Sequence, residues 1–252
     1  MDIELFLQML QIDSTSGREG ELAAFLAERL LTEKCRLERF PVESMRNACP
    51  EGYPLPENLL FSWGTPKVIF CTHLDTVPPY ISPEVCHPEP SHCHPERSEG
   101  SFNSVIYGRG TCDAKGQIFA MYQACLELEK QGYTDFGLLL LAGEETGSFG
   151  AKAFNQISGQ VSSDEILLVV GEPTDNCMAS AAKGTKSFEI EFEGEAFHSG
   201  YPEHGRSAVM MFNDFVNALR SIFSRAILSS ARPHGTSESS IAAILRTYSV
   251  TG

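Results

Sequence analysis

The chain has 252 residues, room for one large α/β domain or one domain with part of a second, and its 42% hydrophobic content supplies a core and excludes global disorder. Its 33 acidic residues outweigh 19 basic ones, giving a formal charge of −14, and no Lys/Arg cluster offers the face that nucleic acid requires. No apolar run approaches the ~20 residues that span a bilayer, and the acidic start MDIELFLQML lacks the basic region and cleavage site of a secretion signal. With 8 cysteines and no such signal, reduced thiols are expected. The composition therefore points to a cytoplasmic chain with neither a membrane nor a nucleic-acid partner.

Ile3, Phe6, Leu7 and Leu10 share one face of a first helix over 2–12. The turn Ser14-Thr15-Ser16-Gly17 follows, and Ser16 with Glu19 has the spacing of a capping box for a second helix that buries Leu22, Phe25, Leu26 and Leu30. Cys35–Val42 reads as a strand and Met45–Glu57 as a loop. Four short apolar runs, Leu59–Trp63, Val68–Cys71, Phe136–Ala142 and Ile166–Val170, have the character of strands covered on both faces, and Lys115–Lys130 reads as a helix among them. This alternation predicts an α/β class with a mostly parallel sheet flanked by helices.

Beyond Ala179 the pattern changes. Phe188, Ile190 and Phe192 alternate as in a half-exposed strand, and a helix from Arg206 to Phe223 follows, as in the start of a smaller α+β unit. The division is 1–178 and 179–252, with 83–104 as an insertion and the stretch after Ser224 as an unpatterned tail. The insertion carries two near copies of CHPE. Cys86, His87, His92, Cys93 and His94 there are an alternative metal site, but the Ser, Pro and Glu around them favour low-complexity sequence in a surface loop.

Ligands of open α/β sheets bind beyond the carboxyl ends of the strands. Three strand candidates end there in metal-type side chains: His73-Leu74-Asp75, Gly143-Glu144-Glu145 and Gly171-Glu172. A fourth acid, Asp113, lies in Gly108-Arg109-Gly110-Thr111-Cys112-Asp113 just before a helix. Carboxylates converging without a cation would repel one another and take up protons, so the set itself argues for metal. Two-metal sites need a carboxylate bridging ions about 3.5–4 Å apart. Asp75, two residues past His73, is placed to accept the second imidazole N–H. Of Glu144 and Glu145, one can bind metal while the other acts as general base. Any one motif alone is more simply a loop or turn; their order and common position at strand ends carry the reading.

CTHLDTVP, YGRGTCDAKG, AGEETGSFG and VGEPT, in that order, resemble the zinc-dependent amidohydrolase and peptidase family that contains acetylornithine deacetylase, succinyl-diaminopimelate desuccinylase, carboxypeptidase G and the aminoacylases. The resemblance covers 1–222. It implies two divalent ions, zinc first with cobalt or manganese as alternatives: His73 and Glu172 on one, Asp113 bridging, Glu145 on the other. It further implies Glu144 as general base towards a metal-bridged water, Asp75 orienting His73, and a homodimer in which His198 of FHSGYPEHGRSA stabilises the oxyanion. The implied substrate is a small molecule, an N-acyl amino acid or short peptide; GEETG and GEPT resemble the deacetylase and desuccinylase members most, and Glu172 is the type of the deacylase and carboxypeptidase side rather than of the di- and tripeptidases. The family's last metal ligand is a histidine near its C-terminus. Only His234 follows the dimerisation motif here, so the second metal site is expected to be incomplete. The competing expectation is a truncated, non-catalytic remnant that binds one metal or none.

Overall fold

A computed structural model describes residues 3–86, 105–158, 166–179, 188–229 and 243–245. The chain divides into two compact units, Met1–Cys177 and Met178–Gly252.

In the first unit the elements run α1 (Ile3–Gln11), α2 (Gly20–Arg29), β1 (Arg36–Pro41), β2 (Glu57–Gly64), β3 (Val68–His73), β4 (Glu84–Cys86), β5 (Val105–Tyr107), α3 (Lys115–Lys130), β6 (Asp135–Leu141), α4 (Phe149–Ser158) and β7 (Leu167–Val170). Five strands form one sheet in the order β1-β2-β6-β3-β7. β6, β3 and β7 are parallel, whereas β1 and β2 join β6 through antiparallel pairings. The α/β class stands, with the sheet mixed. Residues 65–67 are too few for the crossover that a parallel return requires, so the chain reverses between β2 and β3 and β6 later inserts between them.

Burial on both faces accounts for the unbroken apolar run of β6. Phe136, Leu138 and Leu140 join the main core with Leu5, Met9 and Leu10 of α1, Leu22 and Leu26 of α2, and Ile118 and Phe119 of α3. Leu139 lies in a second cluster with Ile69 and Cys71, against Phe154 of α4. Each such side chain contributes about 1.5–3 kcal/mol on burial. Phe6 stacks on Phe119 at 5.2 Å and Trp63 on Phe136 at 4.8 Å, which fixes α1 to α3 and β2 to β6. α3 has the bounds expected. It stops at Gly132, whose φ of +86° lets Tyr133 N–H return to Leu128 O, a helix-ending bond that a Cβ would disfavour.

Other expectations change as well: in α1 the buried face is Leu5, Phe6, Met9 and Leu10, with Ile3 exposed. The capping box does not form: Glu19 itself is the N-cap of α2, without a side-chain cap bond, and Ser16 Oγ donates to Asp75 instead. Phe25 is only partly buried, while Ala23 and Ala27 complete the inner face of α2. β7 is not a covered strand: among the described residues it pairs with β3 alone, at the sheet edge, and Leu167, Leu168, Val169 and Val170 are all exposed. Of 83–104, Glu84–Cys86 forms β4, paired antiparallel with β5. Both CHPE copies, with His87, His92, Cys93 and His94, extend into 87–104, outside the described residues.

In the second unit β8 (Phe188–Ile190) pairs in parallel with β9 (Ala243–Leu245), with α5 (Ala208–Ser229) between them in sequence. Phe192 packs on Phe212 and Phe215 at 5.9 and 5.5 Å. α5 runs past the expected Phe223 because SRAILS, to Ser229, contains neither Gly nor Pro. Among the described residues no helix is long and apolar enough to cross a membrane.

Candidate metal centre

Because β3, β6 and β7 are parallel, their carboxyl ends lie side by side, with His73 level with Leu141 and Cys71 with Val170. His73 therefore closes β3, Glu144 and Glu145 follow β6, and Glu172 follows β7. Asp113 arrives from the loop before α3. That loop needs Gly110, at φ +86°, because a Cβ there would come within 2.9 Å of the Lys115 side chain. Lys115 is itself buried, and its ammonium donates to the carbonyls of Met9 (3.0 Å) and Ile12 (2.6 Å) at the C-terminal end of α1.

His73, Asp113 and Glu145 each offer a ligand atom, and these atoms lie within 4.8 Å of one another. His73 Nε2 is 3.0 Å from Asp113 Oδ1. Its other ring nitrogen, Nδ1, is 2.9 Å from the Asp75 main-chain oxygen and 3.5 Å from Asp75 Oδ1. The main-chain oxygen is thus the nearer partner of the imidazole. The Asp75 carboxylate makes its short bonds elsewhere, accepting from Ser16 Oγ (2.8 Å), Glu144 N–H (2.9 Å) and Glu145 N–H (3.1 Å). Glu172 lies outside the three-residue group and is exposed, yet close enough for its charge to act on the Cys71 thiol and for His73 and Asp113 to act on it.

Two further side chains meet the same loop, and the sequence reading gave them no role there. Glu19 is fully buried; it accepts from Gly17 N–H and, at 3.0 Å, from Gly143 N–H. Asn58, also fully buried, accepts from Ala142 N–H at 3.0 Å and donates to Gly150 O at 2.9 Å. The signals for both were present in the sequence: an acid placed just before an apolar helical face, and an amide opening a run of strand hydrophobics.

The electrostatics follow from this crowding. Burial pulls the pKa of His73 down, but Asp75 and Asp113 outweigh it and raise it to about 9. Burial would raise Asp75, yet the bonds from His73, Glu144 N–H and Ser16 hold it below the ordinary carboxylate value. Burial and the Asp113 charge push Glu145 up; although Glu172 is exposed as a residue, desolvation of its carboxyl, opposed by His73 and aided by Asp113, does the same there. Burial with the nearby Asp75 charge drives Glu19 to about 7. Among the described residues no Lys or Arg forms an ion pair with Asp113, Glu144, Glu145 or Glu172. A proton on His73 is thus the available counter-charge, and a divalent ion supplies the same charge more fully. One imidazole with hard carboxylate oxygens, two of these atoms 3.0 Å apart, is a donor set that suits zinc.

His198 belongs to the second unit, is exposed, and accepts from Gly200 N–H at 3.0 Å. His234 lies outside the described residues.

Comparison with known proteins identifies the family and the fold. Residues 69–249 match Peptidase family M20/M25/M40. A protein of Aspergillus fumigatus named "Probable carboxypeptidase" is 35% identical over 210 residues, covering 80% of this chain and 46% of the relative. One of Aspergillus niger with the same description is 34% identical over 209 residues, covering 80% and 47%. The chain therefore spans about half the length of the curated relatives it matches. A tripeptidase structure from Staphylococcus aureus shares the fold, with a TM-score of 0.58 at 21% identity over 85% of this chain and 55% of that one. The chain belongs to the peptidase family M20/M25/M40.

Proposed function

We propose that the chain carries the metal-binding part of a metallohydrolase that cleaves an amide bond in a peptide or N-acyl amino acid. The observation that carries this is the convergence of His73, Asp113 and Glu145 beyond the ends of the parallel strands, with Glu144 beside them. His73, Asp113, Glu145 and Glu172 would hold two divalent ions, zinc first and cobalt or manganese as alternatives. Such ions, when bound, polarise a carbonyl and make water more acidic. Glu144 acts as the base: it takes the proton of the attacking water and returns it to the leaving amine. Asp75 holds the Glu144 main chain, so the base keeps its place while its carboxylate changes charge. His198 would meet the oxygen on which negative charge develops, contributed by a second copy of the chain through 178–252, and a cytoplasmic location goes with the acidic composition.

Between the two substrate classes, the names of the fungal relatives favour release of a C-terminal residue. Glu172, after β7, fits both classes, and the GEETG and GEPT motifs keep the deacylase reading alongside it. Isothermal titration with Zn²⁺ tests the centre: the full chain should bind, and His73→Ala should weaken binding at least ~10-fold. A full chain that folds and takes up no Zn²⁺ would sink the proposal. Turnover of N-acetyl and N-succinyl amino acids against C-terminally blocked and free peptides then ranks the substrates. Faster cleavage of the N-acyl compounds would overturn the carboxypeptidase preference.

A further inference from the structure

The segment that carries Glu144 and Glu145 leaves the sheet at Ala142, beyond the backbone ladder of β6. An unladdered segment beside a charged site would be free to shift, yet here successive main-chain N–H groups are each taken by a buried side chain. Ala142 N–H goes to Asn58, Gly143 N–H to Glu19, and Glu144 and Glu145 N–H to the two oxygens of Asp75. Asn58, Glu19 and Asp75 are all fully buried, and they come from three different places in the chain: the start of β2, the turn before α2 and the end of β3.

Glu19 differs from the other two. Asn58 lies on the strand adjoining β6, and Asp75 follows β3 on its other side, so both reach the segment through the sheet. Glu19 reaches it from the α1–α2 turn, 124 residues away in sequence. Its second oxygen accepts from Gly17 N–H, so one carboxylate joins two main-chain turns. The neighbouring Ser16 supports the same junction by donating to Asp75 through Oγ and to Thr76 O through its N–H, at 2.8 and 3.1 Å. Gly143 has no latitude of its own: at φ +63° a Cβ would lie 2.5 Å from Met45 Sδ.

We infer that Glu19 is a positioning residue for the site, its buried carboxylate anchoring Gly143 and thereby setting where Glu144 and Glu145 stand. This rests on the reading of Glu144 as base and Glu145 as ligand. It assigns to the N-terminal turn, which supplies no ligand, control over the placement of two acids from the far end of β6. Both Glu19 oxygens face N–H donors, so Glu19→Gln turns an NH₂ towards one of them and breaks one anchor with little change of volume.

The experiment compares amide hydrogen exchange and Zn²⁺ titration on the full chain, wild type and Glu19→Gln. In the wild type the Gly143 amide should exchange slowly. In Glu19→Gln its exchange should rise roughly 10- to 100-fold, as loss of a buried hydrogen bond implies, with the amides of Leu138–Leu140 unchanged. Zn²⁺ affinity should fall about 10-fold, the size of effect seen when the support of a ligand is removed. A rapidly exchanging Gly143 amide in the wild type overturns the inference without recourse to a variant. So does a Gly143 amide that stays protected both in Glu19→Gln and in Glu19→Ala, which leaves it no acceptor, a variant in which β6 loosens to the same extent, or one that frees Gly143 without changing Zn²⁺ affinity. A wild-type chain that binds no Zn²⁺ defeats the metal centre instead, and the exchange of Gly143 still decides whether Glu19 anchors it.

Discussion

Replacing Asn58 by alanine tests whether the end of β6 is held by side chains. The amide of Asn58 accepts from Ala142 N–H and donates to Gly150 O, so it ties the segment leaving β6 to the first turn of α4. Asn58→Ala strands the buried Ala142 N–H, at about 1–3 kcal/mol, and removes one bond to a carbonyl, at about 1 kcal/mol. The expected loss is therefore about 2–4 kcal/mol. The protein has a single tryptophan, Trp63, buried against Phe136 in the same unit, so its fluorescence in a urea titration reports this unit alone. With a urea slope of about 1–3 kcal/mol per molar, the midpoint should fall by about 0.7–4 M. Asn58→Asp should lose a similar amount, because it keeps an acceptor but sets a carboxylate against Gly150 O. A midpoint for Asn58→Ala within ~0.3 M of wild type would show that the segment does not depend on this bridge.

Gly150→Ala should be at least as damaging, since a Cβ there would lie 2.4 Å from both Ala142 O and Asn58 Oδ1; a melting temperature equal to wild type would contradict the close approach. Leu138→Ala, at a fully buried position in the central strand, should cost about 2–5 kcal/mol in the same urea assay, and a loss under ~1 kcal/mol would mean that the core is looser than described. The pH dependence concerns Glu19. Because folding raises its pKa from 4.5 to about 7, its contribution to stability is full below pH 4.5 and is lost as pH rises through about 7. At about 1.4 kcal/mol per unit, the loss is roughly 3 kcal/mol, and Glu19→Gln should lack it. Parallel pH profiles of urea midpoint for the two proteins would refute the shift.

Much of the placement of the candidate site was legible because it combines two local signals: a short apolar run, and a metal-type side chain within a few residues of its end. His73, Glu144, Glu145 and Glu172 all follow that rule, and α3 carried its own stop at Gly132. Glu19 did not, because Ser16 and Glu19 fit a capping box at short range while their partners, Asp75 and Gly143, lie 59 and 124 residues away. A pattern of i and i+3 cannot distinguish these outcomes. Asn58 was hidden in the same way inside a strand signal. β7 was misjudged for the opposite reason: an all-apolar run such as Leu167–Val170 reads as covered on both faces, and only the strand order puts it at an edge. The mixed sheet depended on the brevity of residues 65–67, which tells more about direction than the composition of either strand does.

The Lys115 ammonium rests on the carbonyls of Met9 and Ile12, while its stem lies against the glycine loop that delivers Asp113. The first helix is therefore the footing on which that loop stands, although it contributes no atom to the centre. Cutting back the amino end by a dozen residues would remove Met9 and Ile12 along with α1, leaving a buried cation without its acceptors and Gly110 without a settled surface beneath it. A shortened protein of that kind should lose its hold on Asp113 before its sheet comes apart, so any trimming for expression should stop short of α1.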